Sequence, residues 1–158
     1  MDTPKIYLEL WDNCIGSLER PDFHPERYLN VHIDIVTRNA IKTGNQNLVM
    51  AAKIHDLFKP VSGSMKKDTN GEFYWSNPEH ATQAADWILE QDDIKHWCWT
   101  NGADWRTVEG IVRYHMVAKN FAGMSHNGLM RYSRLCGQYW SQLILFTQCD
   151  DMIGGRFK

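Results

Sequence analysis

The sequence contains no run of about 18 apolar residues, so it offers no membrane-spanning helix. Its first residues, Met1-Asp2-Thr3-Pro4-Lys5, lack the charged-then-apolar layout of a signal peptide. The four cysteines, Cys14, Cys98, Cys136 and Cys149, form no Cys-x-x-Cys pair, which argues against a zinc ribbon or a redox dithiol. A chain of 158 residues needs no disulfide staples, so the simplest expectation is a reducing, cytoplasmic setting with these cysteines in the core. There is no excess of positive charge: the formal net charge is −2, which excludes the field of a DNA-wrapping protein but not a small basic patch. No internal repeat, low-complexity tract or linker divides the chain.

An apolar fraction of 43% is enough to build a packed core, and its spacing is helical almost throughout. Ile6, Leu10, Cys14 and Leu18 predict a helix over 4–19, closed by Pro21. Pro25 suits the first turn of a second helix running to about Lys42, with Gly44 as its stop. A third helix is expected from about Gln46 to Phe58, ended by Pro60. Residues 61–77 break the pattern. Asn70-Gly71 beside Phe73-Tyr74-Trp75 points to a turn with a short hairpin or loop insertion. Asn77-Pro78 opens a helix to about Gln91, and Asp104 caps another through about Lys119. A last helix is expected over roughly 126–152, ended by Gly154-Gly155. The expected fold class is all-α, a single domain over 1–158 with about six helices.

Seven histidines stand out in this pattern. His32 falls in the second expected helix, His55-Asp56 near the end of the third and His80 in the first turn of the fourth. His115 falls inside the fifth, and Asp150 near the end of the sixth. Val31-His32-Ile33, Ile54-His55-Asp56-Leu57 and Cys149-Asp150 set polar groups inside apolar stretches. Burying an unpaired carboxylate costs several kcal/mol. A bound dication removes that cost, because imidazole and carboxylate are its natural ligands.

The order His32, His55-Asp56, Asp150 resembles the H…HD…D signature of the HD superfamily of metal-dependent phosphohydrolases. The segment Ala51-Ala52-Lys53-Ile54-His55-Asp56-Leu57-Phe58-Lys59-Pro60 is similar to the family's A-x-L-H-D-I-G-K-P, with Phe58 in place of the glycine. Asp68-Thr69-Asn70-Gly71, Phe73 and Glu79-His80 resemble the corresponding stretch in the HD domains of bacterial CCA-adding enzymes. So do Leu145 to Asp151 with Gly155-Arg156. The resemblance spans about 28–156, the expected core of the domain.

The resemblance implies one or two divalent metal ions (Mn, Fe, Ni, Co, Zn or Mg), the first held by His32, His55, Asp56 and Asp150. His80 and His115 then either hold a second ion, with Asp56 bridging, or act as proton donors to phosphate or leaving group. Lys59 matches a family lysine that contacts substrate phosphate or the aspartate, although a lysine at a helix C-terminus is also favoured by the dipole alone. Lys119, one turn beyond His115, either reaches substrate or is a solvated surface lysine. The implied activity is attack of a metal-activated water on a phosphomonoester or phosphodiester of a nucleotide or oligonucleotide. That is a nucleotidase or phosphodiesterase, free-standing, with an RNA or DNA end among its partners. The same ligand order also serves HD-type mixed-valent di-iron oxygenases acting on small polar substrates, in which Lys119 would be the lysine near the fourth histidine. A non-catalytic nucleotide-binding module is a third reading. Trp97, Trp99 and Trp105 suit packing better than base stacking, and Lys66-Lys67 suit an exposed loop better than a phosphate contact. Asp34 falls on another helix face from His32, Asp151 is an outer partner of a ligand or simply solvated, and His24, His96 and His126 take no ligand position.

Overall fold

A computed structural model describes residues 2–151 of the chain. Its elements, in chain order, are α1 (Lys5–Cys14), α2 (Leu29–Lys42), α3 (Gln46–Ile54), β1 (Ser64–Lys67), β2 (Phe73–Ser76), α4 (His80–Glu90), α5 (Asp92–Thr100), α6 (Trp105–Ala118), α7 (His126–Cys136) and α8 (Trp140–Asp150). Short 3-10 turns lie at Phe121–Gly123 and Gly137–Tyr139. The chain is mostly helical, as expected, with one two-stranded hairpin. No helix among the described residues is long and apolar enough to cross a membrane.

The centre of the bundle is α3. Leu48, Met50, Ala51, Ala52 and Ile54 are fully buried, because α3 is covered by α2, α6 and α8 at once. The neighbouring helices bury one stripe each. In α2 the stripe is Leu29, His32, Ile33, Val36 and Ala40, and in α6 it is Val108, Ile111, Val112 and His115. Histidines thus occupy core positions of both stripes. All four cysteines are free and buried, as the sequence suggests.

Several boundaries differ from expectation. The first helix stops at Cys14 instead of 19, where Gly16 takes a left-handed φ of 78°. Pro25 does not open α2. Residues 15–28 form a loop closed by a Leu18–Tyr28 bridge, and α2 starts at Leu29. The third helix ends at Ile54, so His55 and Asp56 lie in the turns that follow it. Helix α5 was not anticipated, although Asp92 and Asp93 in its first turn are a helix-start signal. The expected 126–152 helix is two helices, broken at Gly137 with φ 50°. Its expected last residue, the Gly154-Gly155 stop and the Gly155-Arg156 motif lie outside the described residues.

The hairpin over 61–77 is present, with Ser64 opposite Ser76 and Lys67 opposite Phe73. The Asp68 carboxylate accepts from the Asn70 and Glu72 backbone amides across the turn. Gly63 enters β1 at φ 102°, and any side chain there would run into the Ser76 carbonyl. Gly63→Ala should lower the unfolding free energy by about 1–3 kcal/mol in a denaturant titration. An unchanged midpoint would show that the hairpin entrance relaxes freely.

Candidate metal centre

Five parts of the fold converge on one buried point. The first turn of α2 brings His32, the turn after α3 brings His55 and Asp56, and the start of α4 brings His80. Helix α6 brings His115 from its last turn, and α8 brings Asp150 at its end. His32, His55 and His115 are fully buried, and Asp56, His80 and Asp150 nearly so. Two buried amides fix the approach of these parts. Asn39 donates to the Cys149 carbonyl (3.0 Å), tying the end of α8 to α2. Asn77 donates to the Phe58 carbonyl (2.9 Å), tying the start of α4 to the turn that carries Asp56.

The Asp56 carboxylate divides its oxygens between two groups. Its Oδ2 lies 3.3 Å from His32 Nε2 and 3.2 Å from His55 Nε2. Asp150 Oδ1 completes that group, 2.9 Å from His32 Nε2 and 3.4 Å from His55 Nε2. The other oxygen, Oδ1, lies 3.1 Å from His80 Nε2 and 3.3 Å from His115 Nε2. Those two nitrogens are 3.3 Å apart. The ring geometry is fixed from behind: Nδ1 of His55, His80 and His115 sits 2.6–2.8 Å from the carbonyl oxygens of Ala52, Asn77 and Val112, each three residues back. With Nδ1–H donated there, each Nε2 presents its lone pair to the centre.

These residues fit a metal. Bonds of about 2.1 Å to a dication place neighbouring ligands roughly 3.0–3.4 Å apart, and the donor separations here match. His32 Nε2, His55 Nε2 and all four oxygens of Asp56 and Asp150 are buried without an aligned hydrogen bond. Unsatisfied atoms in that number are costly unless a cation gathers them. His32, His55 and Asp150 offer one clustered donor set, and His55, Asp56 and His115 another. All six expected ligands meet, and the two oxygens of Asp56 separately face the His32–His55 pair and the His80–His115 pair.

Charges around the centre reinforce one another. Burial disfavours carboxylate at Asp56, yet His55 and Lys59 outweigh it and hold its pKa well below the usual range. Asp150 is held low in the same way by Lys119 and His55. Burial also opposes imidazolium at His55, but Asp56 and Asp150 lift it to about 9, and His32 is likewise raised. His115 goes the other way, down to about 4, because burial dominates there. Phe146 lays its ring edge-on to His55 (5.2 Å between centroids), keeping the region apolar.

A cavity of about 620 Å³ opens beside the centre. Asp150, Lys59 and Lys119 border it together with Phe23, His24 and Phe121. Lys59 Nζ lies 3.2 Å from Asp56 Oδ2 and 2.9 Å from Glu19 Oε1, and Lys119 Nζ lies 3.0 Å from Asp150 Oδ2. Both expected lysines are thus at the site. Asp151 also borders the cavity. The tryptophans are elsewhere: Trp97 is buried against Tyr7, Trp99 is 70% exposed beside His96, and Trp105 packs against Lys95 and Arg106. Lys66 and Lys67 are exposed on β1, Asp34 borders a separate shallow groove with Trp97, and His126 begins α7.

The 15–28 loop supplies residues that sequence reasoning passed over. Arg27, at φ 71°, donates to the carbonyls of Glu19 and Phe73, and the Trp75 amide donates to the Leu18 carbonyl (3.0 Å). Hung on the hairpin in this way, the loop carries Glu19 to Lys59, His24 to the cavity and Glu26 to His32. No periodicity marks these positions; the nearest signal was the closeness of His24 and Glu26 to His32 in sequence. Compared with protein-family models, curated proteins and solved structures, the chain matches none.

Asp56→Ala should abolish dication uptake at both donor sets, read by metal analysis after dialysis, while the far-UV dichroism stays helical. Retention of two ions would refute the shared role of this carboxylate. His55, with its pKa near 9, carries a proton at pH 7 that a metal must displace. Uptake should therefore release protons and strengthen from pH 6 to pH 8. Calorimetry in two buffers of different ionisation enthalpy checks this, and equal heats in both would contradict it.

Proposed function

We propose that the chain is a metal-dependent phosphohydrolase of the HD type, acting on a phosphoester of a nucleotide or short oligonucleotide. The observation that carries this reading is the division of the Asp56 oxygens between two imidazole groups beside a cavity bordered by Lys59 and Lys119. His32, His55, Asp56 and Asp150 would hold one dication, and Asp56, His80 and His115 a second. When bound, such ions neutralise phosphate charge and lower the pKa of a water toward neutrality.

The remaining work falls to the protein's own groups. Lys119, with its side chain about one-third exposed, borders the cavity and can extend charge to a phosphate oxygen while remaining beside Asp150. Lys59 is more enclosed and paired with both Glu19 and Asp56, so it holds the carboxylate in place while presenting charge to the cavity. Phe23 and Phe121 give the cavity aromatic walls suited to a base or another flat group. Phe146 and the buried flank of α3 keep bulk water from the far side of the centre.

A second reading, an iron-dependent oxygenase acting on a small polar substrate, is favoured by one observation: Lys119 reaches the centre and pairs with Asp150. The metal separates the two. Protein stripped and reloaded with Mn, Ni or Co should turn over generic phosphomonoesters and diesters without oxygen. Lys119→Ala should raise KM several-fold with less effect on kcat. Activity found only with iron and consumed oxygen would replace the hydrolase reading with the oxygenase one.

A further inference from the structure

Among the four imidazoles of the centre, His32 is held differently. The other three set Nδ1 against a backbone carbonyl. His32 Nδ1 instead faces a side chain, Glu26 Oε1, at 2.7 Å, a charge contact short of a well-aligned hydrogen bond. The same oxygen lies 3.2 Å from His24 Nδ1, and the two rings meet edge-on at 4.6 Å. The Glu26 side chain is 5% exposed, and its second oxygen, Oε2, is buried without a hydrogen-bond partner. A surface carboxylate has no reason to adopt such a place. It makes sense if the imidazole in front of it carries a cation on its far nitrogen. A carboxylate behind a histidine fixes the tautomer, orients the ring and raises the basicity of the ligating nitrogen.

We propose that Glu26 is a positioning residue of the metal centre, holding His32 for the first ion, so that the loop between α1 and α2 belongs to the site. This rests on the metal-centre reading above and goes beyond it by assigning a residue outside the six ligands. Glu26 acts on one donor set only. It touches His32 but neither His80 nor His115, which receive their orientation from Asn77 and Val112. Its removal must therefore weaken one ion and spare the other, which a general loss of fold would not do.

The test is calorimetric titration of the metal-stripped full chain with Mn2+, comparing wild type with Glu26→Ala, Glu26→Gln and His80→Ala. Wild type should bind two ions. Glu26→Ala should lose roughly 10–100-fold in affinity for one of them and keep the other unchanged. Glu26→Gln, which retains an acceptor oxygen, should recover most of the loss. His80→Ala should weaken the ion that Glu26→Ala leaves intact. Wild-type affinities for both ions in Glu26→Ala would overturn the assignment, as would equal weakening of both. Failure of the wild type to bind any dication would instead remove the centre itself, and the role of Glu26 with it.

Discussion

Everything in this structure answers to one buried carboxylate. Asp56 accepts the company of four imidazole nitrogens and one ammonium group within 3.3 Å. A charge so placed is tolerable only if the opposing groups arrive at the right distance and angle. The helices meet that demand near their ends. His32 lies in the first turn of α2 and His115 in the last turn of α6, both on buried stripes, and α3, α4 and α8 contribute at or next to a terminus. The last turn of α3 offers the Ala52 carbonyl to lock His55, and the Asn77 carbonyl, in the turn before α4, faces both the backbone amide and the ring of His80.

The electrostatics form two concentric layers. Inside, Asp56 and Asp150 face imidazoles directly, with Phe146 and α3 as an apolar flank. Outside, Glu19, Lys59 and Lys119 set the balance of charge toward the cavity. The outer layer is made largely by segments without regular secondary structure, and it is anchored to the hairpin through Arg27 and Trp75. The hairpin thereby helps to determine what borders the cavity.

How much of this was legible in the sequence depended on whether a residue obeyed a period. His32 and His115 sit on helical stripes, so their burial could be read from their neighbours. His55 and Asp56 were found by their local segment even though the helix ends one residue before them; the turn keeps their side chains inward all the same. Asp150 was placed correctly despite the unforeseen break at Gly137. Glu19 and Glu26 carry no signal, and His24 takes no ligand position on sequence grounds, because a loop has no repeating face; the Leu18–Tyr28 bridge and the ties through Arg27 and Trp75 bring them to the centre. Helix α5 is short and carries few apolar residues besides Ile94, Trp97, Cys98 and Trp99, so its one clear sequence signal is the acidic first turn, Asp92-Asp93.

The tie between Asn39 and the Cys149 carbonyl has a consequence for how the protein assembles. It joins residues far apart in sequence, and the Asp150 that follows closes the first donor set. No local stretch of chain can therefore make this centre. Contacts between residues so far apart carry a larger loop-closure cost than those between neighbouring helices. A partly folded chain would hold the histidine-rich helices without their final carboxylate and would grip a cation weakly. The docking of α8 is thus a condition of the complete donor set: Asp150 meets His32 and His55 only where the two ends of the chain's bundle come together.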